Sequence, residues 1–302
     1  HVFSRPDTPV FADTNYEPMK VAVDKAGSIY IIGEGVYAGV IQLAPTGEFL
    51  GYFAVNRSRA SIQQIIQRAL FTREQLANLV DIAPTTFSNI FVDSEGVAYT
   101  TSMGMNRDGL KKHATSGANM FVDAAWGPND MSDVVVNEDG VIFVSNQSGY
   151  LTVYSRAGEL VFIFGSNVSN LDVAGLYGAL PSLAVSQAGE IWTVDGVKGY
   201  LQSYAPTDYA LTIYEAMELY EQGRYSESHA RWSEVLRLNQ MSVLAHNGVG
   251  KALFHEGRYA ESMAHFEVAG NRGYYSEAFW EVRNTWLQRV LPGFALALLA
   301  LL

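Results

Sequence analysis

The stretch "GRYSESHARW", from Gly223, is followed 34 residues later by "GRYAESMAHF", from Gly257. This register pairs Gly223 with Gly257, Arg224 with Arg258, Tyr225 with Tyr259 and Glu227 with Glu261. It continues through Ser228 with Ser262, Ala230 with Ala264 and Trp232 with Phe266. Upstream it pairs Ala216 with Gly250 and Leu219 with Leu253. A unit of this length cannot bury its apolar face alone, so successive copies must stack. Gly223 and Gly257 predict helix ends in the left-handed conformation that only glycine adopts cheaply. Tyr225 and Tyr259 then open second helices. Ala216 and Gly250 mark places where a partner helix comes close. Ser228 and Trp232, like Ser262 and Phe266, lie four apart on one helix face.

The spacing and the shared residues resemble the tetratricopeptide repeat, which implies two antiparallel helices per unit. Two departures stand out: Ser replaces the usual Ala at 228 and 262, and no Pro closes either unit. The following "YYSEAFWEVRNTWLQR" reads as a capping helix. Two repeats are few for a solenoid, so the array is expected to lean on neighbouring structure.

A weaker repeat fills the front of the chain. Segments beginning at Val21, Ile90, Val134 and Leu183 each run apolar strand, glycine turn, alternating strand, loop, strand, second turn, strand. The turn glycines are Gly27, Gly96, Gly140 and Gly189, preceded by Asp- or Asn-containing turns in the first three. The first spacing is inflated by an insertion over roughly residues 54–88, where "SIQQIIQRALFTREQLANLV" has helical periodicity and Thr72 can cap a helix. This grammar resembles NHL-repeat β-propellers, which usually close with six blades. The resemblance implies four blades here and about two more upstream; the alternative is a degenerate, open four-blade sheet with raw edges.

The chain has no Cys, which excludes zinc-thiolate sites, disulfides and Cys nucleophiles. Its net charge of −11 argues against nucleic acid as a partner. It opens at His1 without Met and ends on "VLPGFALALLALL" from Val290. Both ends are expected to continue in a longer protein. Thirteen apolar residues reach about 20 Å as a helix, short of the roughly 30 Å of a bilayer core, so the run is expected to begin a transmembrane helix, with a buried core helix as the alternative. Trp280 and Trp286 would suit its interfacial belt.

The expected organisation is therefore multidomain β plus α. Residues 1–206 form a partial propeller, 207–289 the helical repeats with a capping helix, and 290–302 the start of the membrane helix. This order resembles a group of bacterial membrane-anchored NHL-repeat and tetratricopeptide-repeat proteins whose genes accompany ABC-type carbohydrate transport components. The resemblance implies a membrane-tethered, extracytoplasmic scaffold whose helical groove and propeller face bind protein partners. It brings no catalytic residues, cofactor or metal ligands.

The rival expectation is a lactonase-like, metal-dependent hydrolase, with acids converging at the propeller axis. Glu34, Asn146 and Asp195 occupy comparable post-strand positions. Asp24, Asp93 and Asp139 sit in blade turns, where Asp beside Gly ordinarily makes the turn. His255 opens "HEGRY", which starts like a zinc helix but has Tyr259 where the second His should stand, and Gly257 interrupts it. His113 reads as a surface loop residue. "GEGVYAG", residues 33–39, has the wrong spacing for a phosphate loop. No G-x-S-x-G elbow is present. Trp126 and Trp192 could stack on sugars, although large aromatics more often pack between sheets. No catalytic, cofactor or metal residue is assigned.

Overall fold

The computed structural model describes residues 5–6, 8, 16–54, 86–104 and 107–301. The predicted helical insertion lies almost wholly outside these residues. The chain divides into two compact units, His1–Ala205 and Pro206–Leu302.

The first unit contains four antiparallel meanders among the described residues. Sheet 1 is β1 (Pro18–Val23), β2 (Ile29–Gly33), β3 (Val40–Leu43) and β4 (Phe49–Phe53). Sheet 2 is β5 (Phe87–Val92), β6 (Ala98–Ser102) and β7 (Leu110–His113). Sheet 3 is β8 (Met131–Val136), β9 (Ile142–Asn146), β10 (Tyr150–Tyr154) and β11 (Leu160–Asn167), with the short β12 (Leu176–Tyr177) parallel to β11. Sheet 4 is β13 (Ser182–Val185), β14 (Ile191–Asp195) and β15 (Tyr200–Tyr204). The first strands pack in succession, β1 on β5, β5 on β8 and β8 on β13, which is the order of propeller blades around an axis.

The four strands expected per sheet appear only in sheets 1 and 3. In the fourth segment, the predicted last strand over "DYALTIY" is helical instead. Ile213, Ala216 and Leu219 recur every third residue and are buried together, and the Thr207 side chain accepts from the Ala210 amide to cap the helix. The described sheets form an open succession and do not close into a ring. The outer face of sheet 1 exposes Val21 and Val23, and that of sheet 4 exposes Trp192, Val194 and Leu201.

Between sheets the core is apolar. Tyr30, Ile32, Val40 and Phe53 of sheet 1 meet Phe87, Ile90 and Ala98 of sheet 2. Tyr99 and Leu110 of sheet 2 meet Met131, Val134, Ile142 and Tyr154 of sheet 3. Gly27, Gly96, Gly140 and Gly189 all have φ near +80°, as the first-turn chemistry predicted. Asp24 and Asp93 accept backbone N–H bonds from Ser28 and Val97 across these turns. In the third turn Asn137, accepting from Val141, takes that role. Asp139 lies in this turn as expected, exposed, and accepts from the Asn137 side-chain amide.

The second unit has five helices among the described residues: α1 (Asp208–Glu221), α2 (Tyr225–Leu238), α3 (Val243–His255), α4 (Tyr259–Val268) and α5 (Arg272–Leu301). Each helix packs on the next. The expected capping helix and the terminal apolar run belong to the single helix α5, which continues through Pro292. No helix of the described residues is long and apolar enough to cross a membrane. The apolar run alone is too short, and the preceding stretch carries Glu277, Glu281, Arg283 and Arg289.

Candidate functional site

The 34-residue register is reproduced atom for atom at the helix ends. Arg224 N–H donates to the Leu219 carbonyl at 2.9 Å and Gly223 N–H to Tyr220 at 3.0 Å. One repeat on, Arg258 donates to Leu253 at 2.9 Å and Gly257 to Phe254 at 3.0 Å. These are paired Schellman closures, with Gly223 and Gly257 at φ 76° and 77°. Arg224 and Arg258 then turn back to chelate Glu227 and Glu261.

Helix α3 sits between α2 and α4 because two glycines thin it. A Cβ on Gly248 would lie 2.3 Å from Cε2 of Trp232, and one on Gly250 would lie 2.6 Å from Cε1 of Phe266. Trp232 and Phe266, the two anchors of this packing, are both buried. The Ser-for-Ala departures are also accounted for. Ser228 donates to the Ala216 carbonyl at 2.8 Å, tying α2 to α1, and Ser262 donates to Tyr259 within its own helix.

Three polar surfaces decorate this frame. A cleft of about 400 Å³ between α1 and α2 is rimmed by Glu215, Glu218, Glu227 and Glu234 with Arg224 and Arg231. Arg231 pairs with both Glu215 and Glu234, so the four carboxylates are only partly balanced. Between α3 and α5, Asn271 donates to Asn247 at 3.0 Å and the Lys251 ammonium lies over the Tyr274 ring. Between α3 and α4, the Nδ1 atoms of His246 and His265 are 3.0 Å apart.

His255 is not a ligand candidate: its ring stacks on Tyr225 at 4.5 Å and meets Tyr220 edge-on. His113 is not on the surface, which corrects the loop expectation. It ends β7, is 3% exposed, and packs edge-on against Phe53 and Phe87. Its Nδ1–H donates to the Gly117 carbonyl, so its Nε2 accepts from the Thr100 hydroxyl. Burial pushes its pKa down to about 4.

Along the first strands of the β unit runs a polar seam that the sequence pattern did not disclose. β1, β5 and β8 each break register at one repeat position, before Lys20, Asn89 and Asp133. The bulges let side chains reach the next sheet. Ser88 donates to the Met131 carbonyl and Ser132 to the Leu180 carbonyl, each at 2.7 Å. Asn89 donates to Asp133, which also accepts from the Val134 amide, the Ser182 hydroxyl and the Leu183 amide. All four donors converge on one buried carboxylate, whose oxygens are thereby engaged.

The proposed lactonase acids do not gather around it. Glu34 is exposed in the β2–β3 loop. Asn146 is buried, donating to the Tyr150 carbonyl and Thr152 hydroxyl. Asp195 binds the loop entering sheet 4. Burial acts to raise its pKa, but bonds from the Lys198, Gly178, Val197 and Ala179 amides outweigh it and hold the carboxyl below its ordinary range. Among the described residues no group of three or more His, Asp or Glu is arranged to hold a metal. Trp126 and Trp192 are half-exposed and so pack in neither core. The 33–39 stretch is a strand connection that buries Val36.

Residues 215–275 match the tetratricopeptide repeat family. No curated protein matches the chain. Among solved structures, it is similar to a catalytically inactive virginiamycin B lyase from Staphylococcus aureus with quinupristin. Identity is 11%, with TM-score 0.42, over 65% of this chain and 58% of that one. It is also similar to the WD40 β-propeller domain of Doa1, at 9% identity and TM-score 0.42, over 63% of this chain and 50% of the other. The computationally designed Ika4 protein matches at 8% identity and TM-score 0.43, over 64% and 93%. The chain thus spans under two thirds of each of these two natural proteins. The propeller-like order rests on its own strand contacts.

Proposed function

We propose that this protein is a non-enzymatic interaction scaffold, tethered to a membrane with its folded units on the extracytoplasmic side, serving a cell-envelope complex for ABC-type carbohydrate transport. The observation that carries the scaffold reading is the completed repeat pair: two helix hairpins with matched closures and buried anchors, offering polar strips to partners. Repeats of this family generally mediate protein–protein interaction. The tether is supported by α5, whose described surface exposes Phe279, Trp280, Trp286, Leu291 and Phe294 and whose sequence continues into an uncharged apolar run. Aromatic rings beside such a run suit a bilayer interface. The non-enzymatic reading is supported by the structural duties of the candidate acids. Asp24 and Asp93 close turns, Asp195 staples a loop and Asp133 joins sheets.

The test is cross-linking in intact bacteria, followed by membrane fractionation and identification of the linked proteins. Transporter subunits linked to the wild-type chain, and lost on Lys251→Glu, support the reading. Recovery of the chain only in the soluble fraction removes the tether. Chelator-sensitive hydrolysis of sugar lactones by the purified protein replaces the scaffold with the enzyme.

A further inference from the structure

We propose that His246 of α3 and His265 of α4 form a two-histidine site for a borderline divalent metal ion, with Zn²⁺ as its representative. Their Nδ1 atoms face each other at 3.0 Å. Two nitrogens bound to one tetrahedral zinc at about 2.05 Å lie about 3.3 Å apart. The Nδ1 atoms would therefore part by about 0.3 Å, and the rings would tilt so that both lone pairs meet at the ion.

The tautomers are set by the surroundings. Nε2 of His246 lies 3.0 Å from the Gln240 carbonyl, which can only accept. The His246 proton is therefore on Nε2, and Nδ1 presents its lone pair toward His265. A backbone carbonyl holding the far nitrogen is the outer contact that orients metal-ligating imidazoles. In the hydrogen-bonded pair, His265 must donate its Nδ1–H to His246. On metal binding, that proton moves to His265 Nε2. Each Nδ1 lone pair then goes to the ion, and no net proton is released. One hydrogen bond breaks and two nitrogen–metal bonds form.

The other groups acting on His265 are His229 of α2 and Glu261, one turn earlier on α4. Glu261 is already chelated by Arg258. Burial first, then His246 and His229, hold the His265 pKa below its ordinary value. Two protein donors leave coordination positions for water or for a side chain of a docked partner. An ion here would also clip α3 to α4 and stiffen the second repeat. The one other histidine on these two helices, His255, is spent in stacking.

The full chain is titrated with Zn²⁺ at neutral pH by calorimetry, as wild type, His246→Gln, His265→Gln and His255→Gln. Far-UV circular dichroism checks that each is folded. The wild type and His255→Gln should bind one Zn²⁺ alike, with roughly tenfold or greater loss in the other two. Melting of the helical signal should rise with Zn²⁺ in the wild type and not in His265→Gln. Absence of saturable binding up to about millimolar Zn²⁺, or binding that survives both His246→Gln and His265→Gln, overturns the proposal.

Discussion

Replacing Gly248 with alanine sets two physical effects against each other. A glycine-to-alanine change inside a helix ordinarily stabilises by about 1 kcal/mol, because glycine gives up more backbone freedom. At position 248 the new methyl would lie 2.3 Å from Cε2, 2.4 Å from Cδ2 and 2.5 Å from Nε1 of Trp232. Carbon–carbon contacts are favourable only near 3.5–4.0 Å. The methyl and indole must therefore separate by more than about 1 Å. The indole is a rigid ring, 3% exposed and enclosed by α2 and α3, so it cannot swing away freely. Overpacking of this kind costs about 1–3 kcal/mol, and with the gross clash toward the upper end the net change is about 1–2 kcal/mol destabilising. For a unit of this size that lowers the melting temperature by several degrees, roughly 4–8 °C per kcal/mol. The assay is thermal unfolding of the full chain followed at 222 nm, where helix dominates. Pairing Gly248→Ala with Trp232→Phe should recover part of the loss by vacating the clashing ring atoms. A stabilised Gly248→Ala variant, or strict additivity with Trp232→Phe, refutes the packing account.

Three further outcomes are expected. Phe266→Ala should destabilise the helical unit by about 3–5 kcal/mol in urea unfolding, since its ring is fully buried against the close face of Gly250. Because His113 titrates near 4 when folded and near 6.5 when unfolded, its contribution is complete above about pH 6.5 and is lost as pH falls toward 4. That loss is on the order of 3 kcal/mol, and His113→Gln should flatten this acid limb in denaturation measured across pH. Asp133→Asn should cost about 1–3 kcal/mol in the β unit, since an amide NH₂ would face backbone or side-chain donors and leave one unsatisfied; intrinsic tryptophan fluorescence during urea unfolding reads it.

The repeat pair was legible because its information is local. Glycine closures, small residues and anchors recur at one spacing, and each kind of residue has a narrow structural use. The propeller-like sheets were legible through their turn glycines for the same reason. The seam along β5, β8 and β13 was not. It uses Asn89, Asp133 and Ser182 at one repeat position, three residue types united only by hydrogen-bonding capacity across sheets. Their alignment emerges only once the bulges fix the register. The two lysines before His113 suggested a surface loop, but Lys111 and Lys112 are half-buried and His113 ends β7 with its imidazole packed on Phe53 and Phe87. Pro292 within α5 removes a donor without stopping the helix.

The bulged seam also bears on how such a unit can change over evolutionary time. Each hook reaches one sheet forward: Ser88 to the carbonyl of Met131, Ser132 to that of Leu180, Asn89 to Asp133. A backbone carbonyl is offered by almost any residue, so the serine hooks accept nearly any successor sheet. The Asn89–Asp133–Ser182 relay is different, because both sides must match. Duplication or exchange of a whole meander is therefore permissive at the serine positions and selective at the relay, which makes the relay the feature that records which sheets have long been neighbours.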